Sequence, residues 1–122
     1  MTGAWLAAGA LLCAISILAG AFGAHGLRER LDADALALWE TAARYLMYGG
    51  LGILLVTVAS RPAGGRLYVV AAASLLAGVV VFSGTVAILA LGGPRWLGAV
   101  TPLGGLLMIA GFVVLGLAAL RF

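Results

Sequence analysis

Four long apolar runs, parted by short breaks of charged, glycine and proline residues, fill almost the whole chain. The first covers residues 4–24 and has Trp5 near its start as an interfacial anchor. It closes on Gly20, Gly23 and Gly26, which weaken a helix and let a neighbouring backbone approach. Residues 27–34 hold the chain's densest run of charge, Arg28, Glu29, Arg30, Asp32 and Asp34, and belong in water or at the membrane interface. Asp32 or Asp34 then caps a second helix, whose pattern runs unbroken over 34–60. Its early part, to Arg44, is amphipathic, and the part from Tyr45 onward is apolar. Arg61, Pro62, Gly64, Gly65 and Arg66 make a turn, a third run spans 67–91, and Gly92, Gly93 and Pro94 end it.

Each run is long enough to cross a bilayer, which takes about 20 apolar residues. The pattern therefore predicts an all-α integral membrane protein. It has four transmembrane helices in a bundle (4–24, 34–60, 67–91 and 102–120), short loops, and a single domain over 1–122. The start of the fourth helix has two readings. Thr101 suits an N-cap and Pro102 suits the first helical position. A helix over 102–120 follows, with residues 96–100 as an interfacial segment before it. The other reading is one longer helix kinked at Pro102.

Composition agrees with a lipid solvent. Hydrophobic residues make up 65% of the 122 and charged residues 9%, too few to build a water-facing surface. The net charge of +3 comes from arginine alone. The arginines are scattered and not interleaved with aromatics, so nucleic-acid binding is not expected; they fit headgroup contacts with membrane lipid. Cys13 is the only cysteine, which excludes an internal disulfide. It follows Leu11 and Leu12, a poor context for lipidation. Ala21, Phe22 and Gly23 offer a cleavage-like spacing, yet no cation precedes the first run and the run is long for a signal sequence, so a retained helix is expected.

Orientation is weakly marked. Arg61, Arg66 and Arg121 fall on one side, and Arg28, Arg30, Arg95 and Arg44 on the other. The first helix has arginines only after it, which favours a cytoplasmic first loop and external termini.

Polar residues gather toward one membrane face. His25 closes the first helix; Glu40, Arg44, Tyr45 and Tyr48 lie early in the second; Ser83 and Thr85 lie late in the third; Thr101 opens the fourth. The opposite half offers Thr57, Ser60 and Ser74. Lipid cannot satisfy such groups, so they need partners. Glu40 and Arg44 are spaced i, i+4 with the acid first, the better order for a helical ion pair. An ionised side chain at the bilayer centre costs roughly 2.5–3.5 kcal/mol on insertion scales. A cluster of His25, Glu40, Arg44 and Thr101, with Tyr45, Tyr48 and Ser83 nearby, is therefore the candidate polar or ligand site. One histidine without a second makes a poor metal site, and neither metal nor cofactor is expected. No nucleophile–base pair or phosphate-cradling loop stands out, so no enzymatic reaction is expected.

Several stretches carry a family resemblance: Gly20-Ala21-Phe22-Gly23-Ala24-His25-Gly26-Leu27, then Trp39-Glu40-Thr41-Ala42, Phe82-Ser83-Gly84, and Leu97-Gly98-Ala99-Val100-Thr101-Pro102-Leu103-Gly104-Gly105. They resemble the family called domain of unknown function 423, to which the animal transmembrane protein 256 is similar. The resemblance implies a small multi-pass protein of the bacterial inner membrane and carries no established activity. This chain departs from the family pattern at Leu46 and Gly49, where glutamine and histidine are usual, and at Ala87 and Phe112, where an aromatic and tryptophan are common. Two functions remain open. One is a helix-packing or assembly protein that forms a homo-oligomer or joins another membrane protein. The other is a small oligomeric channel or transporter for an ion or small solute.

Overall fold

The computed structural model describes residue 1 and residues 3–121. Its elements are α1 (Gly3–Phe22), continued by a π-helical turn (Gly23–Leu27), then α2 (Ala33–Ala59), α3 (Arg66–Ala90) and α4 (Leu97–Leu120). All four are long and apolar enough to cross a membrane, and no strand occurs among the described residues. At 1.5 Å per residue the 25 residues of α3 reach about 37 Å, more than a hydrocarbon core of about 30 Å.

The breaks act as their residue types dictate. Asp32 has an extended backbone and its carboxylate accepts from the Ala35 N–H at 2.8 Å, capping α2. Gly64 (φ +67°) and Gly65 (φ +129°) turn the chain into α3, in a conformation that a Cβ would strain. Gly92 (φ +93°) does the same after α3.

The fourth helix begins at Leu97, not at Pro102 as expected. Thr101 and Pro102 lie inside it, so Thr101 is not a cap and residues 97–100 form its first turn rather than a separate interfacial segment. The reason lies in what the threonine does. Its hydroxyl lies within hydrogen-bond reach of both the Leu97 carbonyl (3.1 Å) and the Thr85 hydroxyl of α3 (2.6 Å). It bonds along and between helices instead of closing one. Pro102 is the sixth residue of α4, so its missing N–H removes one helical hydrogen bond, the one to the Gly98 carbonyl.

The helices form a curved row. α1 packs on α2, α2 on α3 and α3 on α4, with a slighter contact of α4 to α2; α1 makes no substantial contact with α3 or α4. Glycine sets how closely the rows meet. A Cβ on Gly9 would lie 2.9 Å from the Gly50 carbonyl oxygen, and one on Gly50 2.8 Å from the Cys13 sulfur. Between α3 and α4, a Cβ on Gly78 would lie 2.7 Å from the Met108 nitrogen, and one on Gly104 2.5 Å from the Phe82 nitrogen. Backbone touches backbone at both crossings, the small-residue packing that lipid favours. The densest core joins α2, α3 and α4 toward the 60–65 turn, around Ile53, Val56, Ala72 and Leu75, all fully buried.

Candidate functional site

The end of the bundle opposite that core gathers more polar side chains within the helices. Here α1 and α2 are tied by two side chains. Ser16 donates to the Ala43 carbonyl (2.5 Å), and the Trp39 indole N–H donates to the Ala19 carbonyl (2.8 Å). Trp39 also lies over Gly23, where a Cβ would sit 2.7 Å from its ring, and meets Phe22 edge-on at 6.3 Å. The π turn thus comes where the chain must pass beneath an indole.

Sequence reasoning missed Ser16 and gave Trp39 only a motif role. A signal for Ser16 exists. Gly9, Ser16 and Gly23 recur every seven residues, and all three are buried on the face of α1 that meets α2. Ser16 is the only hydroxyl on that face.

Between α1, α2 and α3 lies a cavity of about 350 Å³. Its walls include Ala19, Trp39, Ala43, Leu46, Ser83 and Ala87. Ser83 is 3% exposed, and its hydroxyl has no hydrogen-bond partner. Nearby, Thr85 donates to the Val81 carbonyl (2.7 Å) as well as meeting Thr101. Tyr45 stacks on Phe82 of α3 at 4.5 Å and touches Tyr48 at 4.9 Å.

The expected four-residue cluster does not form within the chain. His25 is exposed in the π turn, and Glu40 and Arg44 are exposed on α2. Among the described residues no ion pair joins Glu40 to Arg44. The Arg44 guanidinium lies 3.4 Å from the Thr41 hydroxyl, too long for a strong bond. Thr101 turns to Thr85 instead. The physical reason is azimuth. α2 presents Ala42, Ala43, Gly49 and Gly50 to its neighbours, and Glu40, Arg44 and Tyr48 lie on the other side of the helix. Ser83, Thr85, Thr101 and Tyr45 do fall on packed surfaces between helices. The described residues bring no three of His, Cys, Asp and Glu together as metal ligands.

This geometry has parallels in sequence only, since no solved structure matches the chain. A UPF0382 membrane protein of Staphylococcus haemolyticus is 45% identical over 114 residues, 93% of each chain. One from Staphylococcus saprophyticus is 44% identical over 107 residues, 88% of each. The UPF0382 membrane protein YwdK of Bacillus subtilis is 36% identical over 115 residues, covering 93% of this chain and 94% of its own. The family pattern described as "Protein of unknown function (DUF423)" matches residues 19–105, a stretch that includes the Trp39 anchor, the Ser83 cavity and the Thr85–Thr101 contact. With four membrane-crossing helices and relatives that are bacterial membrane proteins, this chain is a multi-pass membrane protein and belongs to the DUF423 family.

Proposed function

We propose that this protein works by packing rather than catalysis: its helices associate with other membrane-embedded helices and help assemble or steady a complex. The open row carries the reading. α1 and α4 stand at its two ends, do not close onto each other, and are the least covered of the four helices. Their spare surfaces are rich in small residues. Gly20 of α1, and Gly98 and Gly116 of α4, have open space where a Cβ would stand. A helical glycine costs about 1 kcal/mol relative to alanine, so glycines that touch nothing inside the chain suit a close neighbour outside it. Lipid offers helices no hydrophobic drive to associate, and close packing supplies the attraction. The test is molar mass in mild detergent over a range of dilutions. The expected result is an oligomer, or a complex with a co-purifying membrane protein. A bare monomer at every dilution opposes the proposal.

A second reading, a small oligomeric pore or carrier, draws on the hydroxyl contact between Thr85 and Thr101 beside the buried Ser83. The fully buried Ile53, Val56 and Leu75 at the other end weigh against a polar path inside one chain, so such a path would run between copies. Flux through reconstituted vesicles separates the readings. The transport reading expects flux that Glu40→Gln abolishes in a protein that stays folded. The packing reading expects no flux from either form.

A further inference from the structure

One face of α2 is left open by its neighbours, and it carries charge at a depth where charge is hard to keep. Glu40, Arg44, Tyr48, Leu51 and Leu55 follow one another at steps of three or four residues and form a stripe. All five are exposed; the last three are 45%, 47% and 59% so. Depth follows from the ties to α1. Ala43, the residue before Arg44, accepts from Ser16. Ser16 lies eight residues inside the end of the apolar run 4–24, about 12 Å along the helix. Glu40 is one turn nearer the surface, about 6 Å. A snorkelling arginine shortens its distance to the headgroups, but the carboxylate reaches less far. Among the described residues neither group forms an ion pair, although their i, i+4 spacing permits one.

We infer that the open face of α2 is the contact between two copies of this chain, with Glu40 of each copy pairing with Arg44 of the other. This rests on the packing reading above, names a second copy as a partner, and adds the face of α2 to the spare faces of α1 and α4. A two-fold contact is self-complementary, so one acid and one arginine on the same stripe give two pairs across it. Away from water, such charge-assisted hydrogen bonds gain strength and relieve both ions. Below the charges, Tyr48, Leu51 and Leu55 border an apolar groove of about 340 Å³ between α2 and α4. The groove has room for a side chain of the second copy.

Charge reversal tests the pairing in trans. Glu40→Arg puts two arginines on the stripe, and Arg44→Glu puts two acids there. Each alone is expected to dissociate at a protein-to-lipid ratio at least tenfold higher than the wild type. Mixed with different tags, the two variants are expected to form heterodimers at close to wild-type strength, because both cross pairs are restored. Where a variant does not accumulate in membranes, Leu51→Cys in a Cys13→Ala background decides. Oxidation is expected to link two copies there, and not through Leu106→Cys on the outer face of α4. Dimers that survive both single reversals overturn the inference and leave the packing reading standing. Recovery only when both changes share one chain shows a pair within α2 and also overturns it. A missing Leu51 cross-link beside an efficient Leu106 one does the same. A wild type that is monomeric and without a partner removes both readings.

Discussion

At the scale of the residue, two donors decide how α1 meets α2. Ser16 and Trp39 each give a hydrogen bond to a backbone carbonyl of the facing helix. Such bonds between membrane helices are worth about 0.6 kcal/mol on average. Trp39→Phe keeps an aromatic ring over Gly23 and removes the N–H. It is expected to lower stability by about that amount, read as a small fall in unfolding temperature in detergent. Ser16→Ala should act alike, and an unchanged melting curve for both would show that the two bonds contribute nothing. Neither bond was legible in advance. Periodicity places a residue on a face, but a carbonyl acceptor has no sequence signature. The same limit applies to the polar cluster. The sequence put His25, Glu40, Arg44 and Thr101 at one end of the bundle. Only the packing of α2 shows that Glu40 and Arg44 point away from Thr101.

At the scale of the element, helix ends were legible where residue chemistry forces them. Asp32 caps α2, and Gly64, Gly65 and Gly92 take backbone angles that suit glycine. Asp32→Ala is expected to cost about 1 kcal/mol, visible as faster amide exchange in the first turn of α2; unchanged protection there would show the cap to be idle. The α4 start misled because Thr-Pro is a good helix opening, and the sequence does not reveal that Thr101 has a partner on α3. Helix crossings give a sharper test. Gly104→Ala places a Cβ 2.5 Å from the Phe82 nitrogen, and backbone cannot swing aside as a side chain can. The expected loss is about 1–3 kcal/mol, the usual range for overpacking. Gly116→Ala meets nothing within 4 Å on the same helix and should leave thermal stability equal or slightly higher. Equal melting of the two variants would mean that α3 and α4 are not in backbone contact.

At the scale of the whole molecule, the number of helices and their membrane character follow from four apolar runs, since runs of this length match a spanning helix, which satisfies its backbone within the segment. The open row was not legible. Runs of leucine, alanine and glycine look alike whether a helix is enclosed or at an edge, because lipid and protein interior are both apolar. The row leaves α1 and α4 apart and one face of α2 uncovered, surfaces that association in the bilayer would cover. The most direct measurement counts copies there. Protein bearing one fluorophore per chain is reconstituted at increasing lipid-to-protein ratios, and photobleaching steps are counted for each particle. Two-step particles are expected to persist under dilution well beyond chance co-localisation. Single-step particles at every ratio, from a preparation with no co-purified partner, would contradict association.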